Sequence, residues 1–258
     1  MNFTVLTLFP EFLDAFFVNG IIARAIDRGV IQGKAVNIRE FSTDRHNTVD
    51  DRPYGGGSGM VMKPEPLEDA IASVRENLPD ARVVLMSPQG ERFSQKTACR
   101  LAEQEKGLIF ICGRYEGIDE RVYARLVDEE ISMGDFVMTG GEVAAMAMID
   151  ATARMIPGVL GSEASSQTDS FMDTRLEHAQ YTRPETYKAM PVPEVLLSGN
   201  HEKIRQWRKR SSLERTFMKR PDLFDIQAPD AEERKILMQW CREINYLVSR
   251  GEDAEPDT

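Results

Sequence analysis

The sequence predicts an α/β fold in which helices cover both faces of a parallel sheet. Three observations support this: short apolar segments typical of buried strands recur along residues 1–157, segments with helical apolar spacing separate them, and glycine-containing turns follow the strands. Apolar strands that alternate with helices indicate βαβ units, whose sheet is buried on both sides.

The first elements read clearly. FTVLTL (3–8) has the composition of a buried strand. Pro10 can then open a helix, whose apolar spacing continues until Gly20. KAVNIREF (34–41) alternates like a strand, and PEPLEDAIASVREN (64–77) has a helical period.

The next elements repeat the alternation. RVVLMS (82–87) and LIFIC (108–112) are predicted strands. The helix between them begins after Ser94, a plausible N-cap, and ends at Gly107.

Three more elements complete the predicted sheet domain. IDERVYARL (118–126) is typical of a helix, and EEISM (129–133) is typical of a short strand. GEVAAMAMIDATARMI (141–156) is apolar on most faces, which predicts a buried helix.

The pattern changes after residue 157, where prolines and small polar residues replace the periodicity. After Gly199 the sequence turns helical again. We therefore expect an α/β domain over 1–160, a flexible linker over 161–175, and a small helical domain over 176–258 that ends in an acidic tail.

Composition limits the class of protein. The chain has 258 residues, 41% of them apolar, which is typical of a globular protein. No apolar run approaches the ~18–20 residues of a membrane span. Cys99, Cys112 and Cys241 are far apart and odd in number, which argues against disulfides or a cysteine-based zinc site. Cytoplasmic residence is the expectation.

The charge is distributed unevenly, with a basic stretch that could contact a polyanion. The formal net charge is −10, which argues weakly against nucleic acid. However, eight Lys or Arg residues and only two Glu lie between His201 and Arg220. A solvated helix explains such a run equally well on charge alone.

Three loops that follow predicted strands carry glycine beside polar residues. They are SPQGERFS (87–94), GRYEGIDER (113–121) and GDFVMTGGE (134–142). In open α/β sheets ligands bind outside the carboxyl ends of the strands, so these loops should meet at one site. Three tight turns without a ligand are the alternative.

Familiar nucleotide motifs are absent. Gly55, Gly57 and Gly59 lack the G-x-G-x-x-G spacing, and no G-x-x-x-x-G-K-[ST] occurs. A nucleotide hydrolase that binds phosphate with this glycine loop is therefore a weaker hypothesis.

Seven motifs resemble the bacterial tRNA (guanine-N1)-methyltransferase family of the SPOUT class. In chain order they are DRHNTVDDRPYGGGSGMVMKPEPL, SPQGERF, CGRYEGIDERV, SMGDFVMTGGE, IPGVLG, YTRPE and LLSGNHEKIRQWR. The resemblance extends from Phe9 to about Arg220.

The resemblance implies a fold and assembly that the pattern alone does not. It implies a C-terminal trefoil knot within the α/β domain, S-adenosylmethionine bound in that knot, and a homodimer whose sites draw on both chains. General rules make knots essentially absent, so periodicity would favour an ordinary doubly wound sheet.

The resemblance also implies the residues of the cofactor site. They are Ser87, Pro88, Gly113, Arg114, Tyr115, Glu116, Met133, Gly134, Asp135, Phe136, Val137, Met138, Gly140 and Gly141. Two positions depart from the family's common residues: Phe136 stands where it has Tyr, and Ala144 where it has Pro. These departures bear on cofactor affinity and do not touch the reacting atoms.

Arg154 and Asp169 match the family's catalytic pair. By the resemblance, Asp169 is the general base that removes the N1 proton of guanine, and Arg154 stabilises the charge that develops on O6. Taken alone, Arg154 would compensate a helix C-terminus, and Asp169 would be a turn residue.

The implied substrate is the anticodon arm of tRNA. Its expected contacts in the first domain are His46, Asp50, Arg52 and Gly59, although structural hydrogen bonding is the commoner fate of a single histidine. In the basic stretch they are Lys203, Arg205, Arg208 and Arg210.

The implied reaction is methylation of N1 of the guanosine at tRNA position 37, when another guanosine precedes it. The family also implies Mg²⁺, for which no ligand set is legible in the sequence. The alternative is a non-catalytic RNA-binding protein on a methyltransferase-like scaffold.

Overall fold

Five parallel strands form the central sheet. The computed structural model describes residues 1–104, 106–161 and 169–252. In chain order the strands of the first half are β1 (Asn2–Thr7), β2 (Gln32–Asn37), β3 (Asp50–Asp51), β4 (Val61–Met62), β5 (Arg82–Arg92), β6 (Leu108–Cys112) and β7 (Glu129–Ser132). The sheet order is β2-β1-β6-β5-β7, and β3 and β4 form a separate antiparallel pair.

Six helices accompany this sheet. They are α1 (Pro10–Phe17), α2 (Gly20–Asp27), α3 (Pro64–Arg75), α4 (Gln95–Ala102), α5 (Glu120–Leu126) and α6 (Glu142–Ala153). Buried residues of α1, α2, α4 and α6 belong to one hydrophobic core, and those of α3 and α5 belong to a second. The predicted parallel α/β fold is therefore confirmed, whereas the trefoil knot stays a prediction.

The sheet separates the two cores, because alternate side chains along each strand point into different cores. In β6, Leu108, Phe110 and Cys112 belong to the first core, and Ile109 and Ile111 to the second. Because successive side chains of a strand point to opposite faces, this assignment shows that both faces of the sheet are covered. It also explains why LIFIC is apolar throughout.

The strand predicted over 34–41 is wrong in its second half. The strand covers Gln32–Asn37, and Ile38–Phe41 form a 3₁₀ turn. Asn37 stops the strand because its side-chain oxygen accepts a hydrogen bond from the backbone N–H of Arg39. The short side chain of asparagine competes in this way with strand pairing.

The N-cap predicted at Ser94 is confirmed. Its hydroxyl accepts a hydrogen bond from the backbone N–H of Thr97 at 3.3 Å, and α4 begins at the next residue. The helix predicted to continue until Gly20 ends earlier, at Phe17, and Gly20 begins α2 with a φ of +69°.

The second half of the chain is mainly helical. It contains a two-stranded hairpin, β8 (Thr186–Tyr187) with β9 (Met190–Pro191), and the helices α7 (Glu194–Leu197), α8 (His201–Lys219), α9 (Leu223–Ile226) and α10 (Ala231–Glu252). The two long helices pack together, and the predicted helical character after Gly199 is confirmed.

By its internal packing the chain divides into two units, Met1–Ser166 and Gln167–Thr258. Residues 162–168 of the predicted linker 161–175 lie outside the described residues, as does the acidic tail from residue 253. The division into functional domains stays a prediction. None of the helices in the described ranges is both long and apolar enough to cross a bilayer.

Candidate cofactor and substrate site

A cavity of about 380 Å³ lies at the carboxyl edge of the sheet in the first unit. The three glycine-containing loops that the sequence places at this edge all contribute to its lining. Of the predicted cofactor residues, the cavity is lined by Ser87, Pro88, Gly113, Arg114, Tyr115, Glu116, Met133, Gly134, Phe136, Val137, Met138, Gly140 and Gly141. The lining also includes Ala144, one of the two positions at which this sequence differs from the family's common residue.

The first loop is a bulge within a strand. Met86 and Glu91 of β5 both pair with Ile131 of β7, so residues 87–90 leave the ladder and return to it. Inside the bulge, the backbone N–H of Gln89 donates to the Ser87 hydroxyl at 3.1 Å. A Cβ at Gly90 would overlap the backbone of Glu130, so glycine is required at this position.

The second loop (113–121) and the third loop (134–142) are hydrogen-bonded to each other. The backbone N–H of Gly141 donates to the carbonyl of Gly113 at 3.1 Å, and Arg114 and Gly140 form an isolated antiparallel bridge. A Cβ at Gly141 would lie 2.8 Å from Cys112 Cα. Glycine therefore permits the close approach of two backbones that closes this side of the cavity.

An ion pair beside the cavity locks the same two loops. Arg114 Nη2 lies 2.8 Å from Oε2 of Glu142, whose residue is 2% exposed. Glu142 also accepts from the Thr7 hydroxyl at 2.7 Å, and the Arg114 guanidinium lies 4.5 Å from the centre of the Phe9 ring. Glu142, Thr7 and Phe9 were missed by sequence reasoning, although Glu142, one of two carboxylates on the mainly apolar helix 141–156, was a usable signal.

Asp135 is the predicted cofactor residue that does not line the cavity. It is exposed and forms an ion pair with Arg92 at the end of β5. It is absent from the lining of the cavity. Its role toward the cofactor stays a prediction.

The glycine loop at 55–59 borders the cavity at one end. Glu116 lines the cavity, its backbone N–H donates to the carbonyl of Met60 at 3.0 Å, and a Cβ at Gly59 would overlap its side chain. Gly59 is thus in contact with a cavity residue. Arg52 is exposed, and Asp50 is half-buried in β3.

His46 is exposed on a short loop that Asp44 builds. The Asp44 carboxylate accepts from the backbone N–H of Thr48 at 3.0 Å and of His46 at 2.7 Å. These bonds, the first of them above all, lower the pKa of Asp44 from its ordinary value. The loop presents the His46 ring to solvent, as a substrate contact requires.

The two predicted catalytic residues lie in different units. Arg154 is half-buried and caps the carboxyl end of α6, where its backbone N–H donates to Asp150. Asp169 is half-buried at the start of the second unit, and its carbonyl accepts from the backbone N–H of Met172 at 3.3 Å. Their roles stay predictions.

Two of the four predicted RNA contacts in the basic stretch are paired with carboxylates. Arg205 lies 2.8 Å from Glu202 and 3.3 Å from Glu232, and Arg210 contacts Glu214 and Glu243. These carboxylates raise the pKa of both arginines. Lys203 and Arg208 are exposed and pair with no carboxylate in the described parts of the chain.

Helix α10 supplies one carboxylate to each of these arginines, Glu232 to Arg205 and Glu243 to Arg210. Lys209 also pairs with it, at 2.6 Å from Glu232. Trp207 contacts His178 and Tyr181, and Phe217 contacts Trp240, so both aromatic side chains of α8 have partners within the second unit. The basic stretch is therefore less cationic than its sequence suggests.

Within the described residues, no group of three or more His, Cys, Asp or Glu side chains is arranged to hold a metal ion.

Comparisons with known proteins agree with the motifs. A family model described as tRNA (Guanine-1)-methyltransferase TrmD matches residues 1–226. A tRNA (guanine-N(1)-)-methyltransferase from Desulfatibacillum aliphaticivorans is 53% identical over 96% of this chain and 94% of its own length. One from Bacillus subtilis (strain 168) is 50% identical over 94% of this chain and 100% of its own length.

Proposed function

This chain belongs to the tRNA (Guanine-1)-methyltransferase family, and from that membership we propose which of its residues carry out the reaction. The enzyme transfers a methyl group from S-adenosylmethionine to N1 of the guanosine at tRNA position 37. We further propose that it acts when another guanosine precedes this position.

The cavity in the first unit is the proposed cofactor site. Its volume suits one nucleoside-sized ligand, because small-molecule sites begin at about 300 Å³. Its glycine turns expose backbone N–H and C=O groups that can read the edge of adenine, and Ile131, Met138 and Leu85 supply apolar walls. When bound, S-adenosylmethionine supplies a methyl group that its sulfonium already activates for transfer. The convergence of the three loops on one cavity is the observation that carries this proposal.

Asp169 is the proposed general base. N1 of guanine is not nucleophilic until its proton leaves. An aspartate is a weak base for this step, since guanine N1–H is less acidic by roughly five pKa units, each worth about 1.4 kcal/mol. The base therefore needs a partner that stabilises the developing anion.

Arg154 is the proposed partner. A guanidinium directed at O6 stabilises the charge that develops there as the N1 proton moves to Asp169. Positioning of N1 against the methyl group supplies much of the remaining rate. No covalent enzyme intermediate is needed.

A second copy of the chain is proposed to complete each site. Support comes from apolar side chains exposed on the cavity-lining loops: Val137 is 92% exposed, and Phe136 and Tyr115 are more than half exposed. Such side chains mark interaction surfaces when they cluster. Sedimentation at micromolar protein should give the mass of a dimer, and a monomer there would refute this part.

Mg²⁺ enters no step of this mechanism. The described residues offer no acidic cluster for it, so the ion expected from the resemblance has no assigned ligands.

We place the enzyme in the cytoplasm, because its tRNA substrate is found there.

The decisive experiment is a methylation assay with purified enzyme, S-adenosylmethionine and two tRNA transcripts, one with and one without the guanosine pair. Formation of 1-methylguanosine only on the first transcript supports the proposed requirement. Asp169→Ala should abolish turnover while cofactor binding stays nearly intact, and Arg154→Ala should lower turnover sharply. Normal turnover in Asp169→Ala would refute the base assignment, and normal turnover in Arg154→Ala would refute the stabilisation of O6.

A further inference from the structure

Arg175 is a buried cation whose hydrogen-bonding capacity is fully used. The residue is 2% exposed, and its guanidinium stacks 4.4 Å from the centre of the Phe224 ring. Its nitrogen atoms donate to both carboxylate oxygens of Glu233, to the carbonyl and hydroxyl of Thr174, and to the carbonyls of Leu223 and Gln227. This planar fork cannot be replaced by the point charge of a lysine.

These bonds anchor one end of a loop that starts at Asp169. The backbone N–H of Phe171 donates to the carbonyl of Arg175 at 2.8 Å, and that of Met172 donates to the carbonyl of Asp169 at 3.3 Å. The Ser170 hydroxyl accepts from the backbone N–H of Glu177 at 2.9 Å. Residues 169–177 therefore form one hydrogen-bonded loop.

The loop holds a conformation that its sequence does not favour. Phe171 has a φ of +72° and Thr174 has a φ of +61°, in the left-handed region that non-glycine residues rarely adopt. Such strain persists only where surrounding contacts determine it. The hydrogen bonds of Arg175 are the main contacts that hold this conformation, because they bind both the carbonyl and the hydroxyl of Thr174.

Glu233 connects the loop to the start of α10. Its backbone N–H donates to the Asp230 carboxylate at 2.8 Å, and its own carboxylate accepts from the backbone N–H of Asp230 at 3.0 Å. This is a reciprocal capping box. One carboxylate thus caps the C-terminal helix and fixes the arginine that anchors the loop of Asp169.

We propose that Arg175, held by Glu233, is a positioning residue for the reaction: it sets the conformation of the loop that carries Asp169. The inference rests on the proposed role of Asp169 as the base. Proton transfer needs a heavy-atom separation of about 2.6–3.2 Å, and a misplacement of about 1 Å can cost on the order of a hundredfold in rate. The C-terminal helix therefore contributes to the chemical step through Glu233 and Arg175.

The test compares full-length Arg175→Lys and Glu233→Gln enzymes with wild type in single-turnover methylation. Both should lower the methyl-transfer rate roughly ten- to hundredfold, while the Kd values for S-adenosylhomocysteine and tRNA change less than about threefold. Leu213→Ala is the matched control, because Leu213 is buried in α8 and outside this loop. It should lower the thermal midpoint of the second unit while keeping the transfer rate.

A wild-type rate in Glu233→Gln, or in a folded Arg175→Lys, overturns the inference. So does an equal rate loss in Leu213→Ala, because reduced stability would then explain the effect. Asp169→Asn separates the two proposals. If it keeps turnover, the base assignment fails and this inference fails with it; if it is inactive and both loop variants are normal, only the inference fails.

Discussion

Glu142 and Arg114 form a bidentate ion pair beside the proposed cofactor cavity, with Nη2 at 2.8 Å from Oε2 and Nε at 3.2 Å from Oε1. The carboxylate belongs to the first turn of α6, and the guanidinium belongs to the loop after β6. The pair therefore joins the loop at 113–117 to the loop at 134–141, both of which line the cavity.

Glu142→Gln should weaken cofactor binding and lower stability. It preserves the shape of the side chain and an acceptor for Thr7, but it leaves the Arg114 charge without its counterion. Breaking a buried pair in this way costs about 3–5 kcal/mol. We expect a lower denaturation midpoint and a Kd for S-adenosylhomocysteine raised on the order of tenfold, measured by calorimetry. Unchanged values for both would show that the pair does not hold the loops.

Gly59→Ala should weaken cofactor binding more than Gly56→Ala. Both glycines have positive φ, +88° and +80°, so the backbone cost of alanine is similar. Only at Gly59 does a Cβ overlap Glu116, whereas a Cβ at Gly56 has no neighbour within 4 Å. Calorimetric titration of both variants isolates the effect of displacing Glu116. Equal Kd values in the two variants would contradict this contact.

Arg208→Ala should weaken tRNA binding more than Arg205→Ala. Arg205 already pairs with two glutamates, so a phosphate must displace them before it gains that charge. Arg208 is exposed and has no carboxylate partner among the residues that the structure describes. Filter binding over a range of salt should show the salt slope reduced by about one unit in Arg208→Ala. A larger loss in Arg205→Ala would reverse the assignment.

Cys112 should resist alkylation in the folded enzyme. Burial, with a smaller contribution from the Glu142 carboxylate, raises the pKa of its thiol well above the ordinary value. A raised pKa keeps the thiol protonated at pH 8, and the thiolate is the reactive form. Iodoacetamide followed by peptide mass analysis should label exposed Cys241 first and Cys112 only after denaturation. Native labelling of both at similar rates would refute the expectation.

The strands of the sheet and the loops that line the cavity can be predicted from the sequence, because both depend on local residue patterns. Apolar runs such as 108–112 identify strands buried on both faces, and parallel pairing then brings the following loops to one edge. The individual cofactor residues come from the family resemblance, and thirteen of those fourteen line this cavity.

The parts that sequence reasoning missed depend on contacts between distant residues. The 3₁₀ turn at 38–41 arises because one asparagine side chain competes with strand pairing. The motif does not show that Asp135 pairs with Arg92, or that it is absent from the lining of the cavity. The eight cations of the basic stretch look available until α10 brings carboxylates to three of them, Arg205, Lys209 and Arg210.

The bulge at 87–90 makes chain length, and not only side-chain identity, a constraint on this wall of the cavity. Both ends of the segment are held by the same residue of β7, and Gly90 lies against the neighbouring backbone. An inserted or deleted residue there changes the segment that spans these two fixed pairs, so it either alters the shape of this wall or shifts the remaining strand by one position and reverses the orientation of its side chains. The glycine loop at Gly55 and Gly56, where a Cβ would have no neighbour within 4 Å, has no such limit.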